Sequence, residues 1–86
     1  MNNAFEHTTT FNLFKVRERQ IHETLSAVHK ALKEKGYNPI NQIVGYIITE
    51  DPTYITNHAN ARAEIRKIDR DELLRAMVQH YLDAEK

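Results

Sequence analysis

The chain has 86 residues, 41% apolar and 28% charged, with 12 Lys and Arg against 12 Asp and Glu. A length of this order makes one domain that buries only about 60–65% of its unfolded surface, so a self-associating face would add burial that the monomer lacks. Neutrality disfavours nucleic acid as the main partner, because nonspecific affinity for it comes from an excess of Lys and Arg, and the absence of cysteine excludes disulfides, thiolate zinc sites and a cysteine nucleophile.

Residues 1–13 read as a flexible N-terminal arm. The stretch is rich in Asn, Glu, His and Thr, with Phe5 and Phe11 as its main apolar side chains. It lacks the charged start and apolar core of a signal peptide, and no later stretch is apolar for long enough to span a bilayer. The expected location is the cytoplasm. A helical domain is expected over 14–86, beginning with a helix from about Phe14 to Lys35. Ile21, Leu25, Val28 and Leu32 fall on one stripe of that helix. Lysines 30, 33 and 35 suit its negative end. Gly36 stands where a left-handed residue closes a helix, and Pro39 follows it.

Residues 36–52 contain both glycines and both prolines of the chain. Between them Ile40, Ile43, Val44, Ile47 and Ile48 recur at helical intervals, although so many β-branched residues leave a strand open. Such a helix, apolar on most sides, is expected at the centre of the fold. Gly45 costs about 1 kcal/mol against Ala in a helix interior, which a close crossing would justify. Asp51-Pro52 reads as an N-cap and first position of a short turn through Tyr54 and Ile55. A third helix is expected from about Ala59 to Ile68, with Ala61, Ile65 and Ile68 facing inward. Asp69 and Glu72 have capping-box spacing. They open a last helix whose stripe is Leu73, Leu74, Met77, Val78, Tyr81 and Leu82. The fold class is all-α, a compact bundle of about four to five short helices behind the arm.

The chemistry-bearing residues are sparse. His22 and His29 are two turns apart and His7, His58 and His80 are isolated, so no metal or other cofactor is expected. The carboxylate pairs, Glu50-Asp51 and Asp69 or Asp71 with Glu72, sit at helix starts, where capping and the helix dipole explain them. No Gly-rich phosphate loop or nucleophile elbow occurs, so no catalytic residues are assigned. Arg62, Arg66, Lys67 and Arg70 form the sharpest charge cluster. On a continuous helix Arg62, Arg66 and Arg70 would share one face able to receive a phosphate or an acidic partner. The plainer alternative is a solvated face paired with Glu64, Asp69 and Asp71. A helix-turn-helix shape is also open, but Asp69, Asp71 and Glu72 would repel DNA phosphates from the last helix. Thr8, Thr9 and Thr10 are the kinase-accessible hydroxyls, if the arm is extended.

The string Lys35-Gly36-Tyr37-Asn38-Pro39-Ile40-Asn41-Gln42-Ile43-Val44-Gly45-Tyr46 is long and compositionally odd. It is followed by Asp51-Pro52 with Tyr54-Ile55, by Ala61-Arg62 with Ile65-Arg66-Lys67, and by Arg70-Asp71-Glu72. Together these resemble the IreB family of small Gram-positive regulatory proteins, over about residues 8–83. The resemblance implies a homodimer of helical subunits with a disordered N-terminus. It also implies a substrate of the membrane Ser/Thr kinase with extracellular PASTA repeats, reversed by a partner phosphatase, in a system controlling envelope stress and antibiotic tolerance. A downstream protein partner is implied but not named.

The family's acceptor threonine maps onto Thr8, with Phe11 as the following aromatic; Thr9 and Thr10 are further acceptor candidates. Two departures stand out. The usually acidic segment after Phe11 reads Asn12-Leu-Phe-Lys-Val-Arg-Glu-Arg19, and the family's Pro-Arg pair is Thr56-Asn57. Two rival readings remain: a nucleic-acid accessory protein and a constitutive adaptor dimer without a switch.

Overall fold

A computed structural model describes residues 2–83, with side chains at 13 and 15–83. Four α-helices follow one another: α1 (Asn2–Glu34), α2 (Pro39–Thr49), α3 (Ala61–Arg66) and α4 (Arg70–Asp83). Two short 3-10 turns, Pro52–Tyr54 and His58–Asn60, lie between α2 and α3. No strand occurs among the described residues, so the β-branched run of 40–48 is helical. The helices are not uniformly short. α1 starts well ahead of the expected Phe14, in keeping with a sequence that has no glycine or proline before Gly36.

The end of α1 is built as its sequence requires. Gly36 has φ +84°, the Tyr37 amide donates to the Leu32 carbonyl at 3.0 Å, and the Gly36 amide donates to the Lys33 carbonyl at 3.0 Å. These are the two bonds of a Schellman motif, and they satisfy carbonyls that the helix leaves open. Asn38 then caps α2: its side-chain oxygen accepts from the Asn41 amide at 3.1 Å. Pro39 therefore both stops α1 and opens α2 from its first position, where its missing N–H costs nothing.

The core collects Ile21, Val28, Ala31 and Leu32 from α1, and Ile43 and Tyr46 from α2. Ile55, Ala61, Ile65 and Leu73 complete it, and Leu25, Ile47, Ile68, Ala76 and Met77 pack at its edge. The α1 stripe is thus as the periodicity predicts. Ile55, fully buried, is delivered by the Pro52–Tyr54 turn.

Four further expectations are corrected. First, α2 is not central. It buries Ile43 and Tyr46 and leaves Ile40, Val44 and Ile48 on the opposite side, because α1 and the Pro52–Tyr54 turn cover only one face. Second, α3 begins at Ala61, not Ala59, since Ala59 and Asn60 have φ of 54° and 63° and cannot extend a right-handed helix. Third, only Leu73 of the α4 stripe is fully buried, while Leu74, Val78, Tyr81 and Leu82 remain exposed. Fourth, the Glu72 carboxylate, expected to reach back to the cap of α4, instead accepts from Arg17 of α1.

Candidate functional site

The basic cluster of α3 and α4 is divided by the fold. α3 ends at Arg66 and Arg70 is the first residue of α4, so Arg62, Arg66 and Arg70 do not share one continuous helix. Arg62 donates through Nε to the Ile55 carbonyl at 2.8 Å and so closes the loop between the Pro52–Tyr54 turn and α3. Arg70 donates through Nη1 to the Ile47 carbonyl and through Nη2 to the Glu50 carboxylate. A cation near the last carbonyls of α2 is where the helix dipole favours it. Glu50 itself sits at the α2 C-cap with φ 62°.

Lys67 pairs with Glu64 at 3.1 Å, one turn away, in a solvated contact. Arg66 is exposed and has no hydrogen-bond or ion-pair partner among the described residues. Two of the four basic residues therefore serve as anchors to backbone carbonyls. Arg66 and Lys67 are left as the groups best placed to meet an anion.

A cavity of about 500 Å³ opens beside Lys67, between α1 and the α3–α4 corner. It is lined by Arg17, Gln20, Thr24 and Lys67 together with Glu23, Glu64 and Glu72. Arg17 and Lys67 are each paired with a glutamate in its wall, which leaves the carboxylate of Glu23 in excess, and Ile21 and Ile68 add apolar surface. Among the described residues no three His, Cys, Asp or Glu side chains gather as metal ligands. His58 instead lies 2.9 Å from the Glu34 carboxylate, linking the second 3-10 turn to the end of α1.

One carboxylate is electrostatically distinct. Asp51 accepts from the Thr53 hydroxyl at 2.7 Å and the Thr53 amide at 3.0 Å. Those two bonds, with a smaller contribution from the charge of Arg62, hold its carboxyl below the ordinary carboxylate range. This is a capping role, as the Asp-Pro signature predicts. Thr8, Thr9 and Thr10 fall within the span of α1, and their side chains lie outside the described residues.

The sequence therefore placed cations where the structure has them, but it did not show the contacts that Arg62 and Arg70 make. Their partners are carbonyls at Ile55 and Ile47, and a backbone acceptor leaves no mark on composition or spacing.

A family model described as "IreB regulatory phosphoprotein" matches residues 6–83. The chain belongs to the IreB family. Among similar proteins, a UPF0297 protein of Acetivibrio thermocellus is 59% identical over 76 residues, spanning 88% of this chain and 84% of its own. A UPF0297 protein of Ruminiclostridium cellulolyticum is 54% identical over 80 residues, spanning 93% of this chain and 91% of its own. The IreB-family match includes the Thr8–Thr10 segment, the Gly36–Pro52 punctuation and all four residues of the basic cluster. No helix among the described residues is long and apolar enough to cross a membrane.

Proposed function

We propose that this IreB-family chain is a non-enzymatic, cytoplasmic, homodimeric regulator switched by phosphorylation of its N-terminal threonines. Thr8 is the principal acceptor, with Thr9 and Thr10 as secondary ones. The writer is a membrane Ser/Thr kinase of the PASTA type and the eraser its partner phosphatase. The output is the cell-envelope stress response or antibiotic tolerance, through a downstream protein partner. The observation that carries this reading is the match to a regulatory phosphoprotein family from residue 6 onward, which takes in the threonine triplet.

The geometry supports it in two ways. The side-chain polar contacts among the described residues are caps, anchors to backbone carbonyls and ion pairs. Two helices, α2 and α4, carry exposed apolar faces of the kind that meet other proteins. Phosphorylation would add about −1.5 to −2 charges to a chain with no net charge. Arg66 and Lys67 are the cations on hand to receive it. The acidic first turn of α4, with Asp71 and Glu72, weighs against docking on nucleic acid.

The test is the intact mass of the protein purified from cells, before and after phosphatase treatment, with fragmentation to place any shift. Loss of one phosphoryl group assigned to Thr8–Thr10 supports the switch. Equal labelling by the kinase of the wild type and of a variant carrying Thr8→Ala, Thr9→Ala and Thr10→Ala would remove it.

A further inference from the structure

Two cavities, of about 380 and 310 Å³, lie along the seam between α1 and α4, and Glu18, Ile21, Ala76 and Gln79 line both. Together they form one groove that follows α4 from Asp69, just before its start, to Asp83 at its end. That distance is roughly 21 Å at 1.5 Å rise per residue. The floor is apolar, made by Ile21 and Leu25 of α1 and by Ala76 and Met77 of α4. Leu25, Ala76 and Met77 are only half-buried, and the unbranched Met77 can fit an irregular partner.

The rim is charged, and unevenly. Five carboxylates line the groove, Glu18, Asp69, Asp71, Glu72 and Asp83, against the guanidiniums of Arg17 and Arg75, with His22 and His80 counted as neutral. Arg17 and Glu72 neutralise each other across the seam. What remains is Arg75 against four carboxylates, of which Glu18, Asp69 and Asp71 have no hydrogen-bond or ion-pair partner among the described residues. The whole chain has no net charge, so the negative excess belongs to the groove.

We infer that this groove receives a basic, amphipathic helical segment of another protein. Its apolar side chains face Ile21, Leu25, Ala76 and Met77, and its Lys or Arg side chains lie over Glu18, Asp69 and Asp71. The downstream partner of the reading above thereby acquires a chemistry, and only the existence of such a partner is taken from that reading. A helix laid in an apolar groove is read through side chains one turn apart, and about four turns match the length available. The rim decides among occupants. A second copy related by a two-fold axis would bring the same carboxylates face to face. Nucleic acid and anionic lipid would be repelled, whereas a basic helix is both steered in and kept in register.

The probe is a fluorescein-labelled peptide of about 18 residues, with Leu at i, i+3, i+4 and i+7 intervals and Lys elsewhere. It is titrated with the unphosphorylated chain and followed by anisotropy. Saturable binding is expected, with amide shift changes in the chain confined to α4 and residues 17–25. Glu18→Lys and Asp71→Lys should each weaken binding by ~10-fold or more, since each sets like charge against the peptide. Glu34→Lys makes the same change of charge outside the groove and should stay within about 2-fold of wild type. A scrambled peptide of the same composition should bind at least ~10-fold more weakly, because it has no apolar face. Circular dichroism checks that each variant keeps its helices.

Equal weakening by Glu18→Lys and Glu34→Lys would reduce the effect to net charge and overturn the groove as the site. Equal binding of the scrambled peptide, equal binding of a Leu/Glu peptide, or no binding at millimolar concentration would overturn it too. If Glu18→Lys alters the mass of the chain in solution but leaves peptide affinity unchanged, a second copy fills the groove and a basic partner does not. None of these outcomes bears on phosphorylation, which the intact-mass measurement reads separately.

Discussion

The ring of Tyr54 occupies the space where a side chain at Gly45 would begin: a Cβ there would lie 2.5 Å from ring atoms Cδ1 and Cε1. The glycine that weakens α2 in isolation is what lets the Pro52–Tyr54 turn fold against it. The turn is held there by Gln42, whose Nε2 donates to the Tyr54 carbonyl at 2.9 Å. Ile55 is thereby carried into the core.

Gly45→Ala should therefore destabilise the protein although it improves helix propensity. The gain of about 1 kcal/mol is outweighed by overpacking, which costs about 1–3 kcal/mol. In a Tyr54→Ala background the obstruction is gone and the same change should stabilise by about 1 kcal/mol. Urea unfolding of the four proteins in this cycle measures both signs. Additive effects would show that the ring does not set the requirement for glycine.

Substitutions at left-handed positions should act in opposite directions. Gly36→Ala forces a Cβ into φ +84° and should cost about 1–2 kcal/mol. Ala59 already has φ 54°, so Ala59→Gly should stabilise by about 0.5 kcal/mol after the added freedom of the unfolded glycine is counted. Thermal unfolding followed by circular dichroism should show the two midpoints on either side of the wild type.

Arg70 should matter more than its ion pair. Both members of the pair with Glu50 are partly solvated, and such contacts contribute about 0–1 kcal/mol. Arg70→Ala also removes the donor to the Ile47 carbonyl and should cost about 1–2 kcal/mol. Glu50→Gln should stay within about 0.5 kcal/mol of wild type. Equal losses for the two variants in denaturant titrations would put the energy in the ion pair instead.

Asp51 gives a pH dependence of defined sign. Its carboxyl is held lower in the folded state than in the unfolded chain, first by the Thr53 hydroxyl and then by the Thr53 amide. The contribution is thus fully present above the unfolded value, and is lost as pH falls through the folded one. Stability measured from neutrality downward should begin to lose this contribution near pH 4. Asp51→Asn should flatten that part of the acid limb while leaving its higher-pH part unchanged. An identical acid limb in both proteins would deny Asp51 this role.

Local signals carried much of the fold. The α1 stripe, Gly36 as a left-handed stop, the Asp51-Pro52 turn and the identity of α2 as a helix were legible, because each depends on neighbours within a turn or two of chain. The boundary of α3 was not, because Ala59 adopts a positive φ that its side chain does not announce, and Asn60, a residue that enters the left-handed region more readily, follows it there. The capping box at Asp69 and Glu72 misled for a different reason: Glu72 found Arg17 on a distant helix.

The same division holds for the candidate site. Sequence alone determined that the chain is helical, lacks cysteine chemistry and clusters its cations at 62–70, since composition and helical period are properties of the chain itself. Only the tertiary structure decided which apolar faces are covered and which cations are free. Periodicity marks a side chain as apolar without saying what lies across from it. Ile43 and Ile40 are alike in sequence, but packing buries one and turns the other outward. Arg62 and Arg66 differ likewise, one anchored to a backbone carbonyl and one left to solvent, because that carbonyl is brought near only when the chain folds.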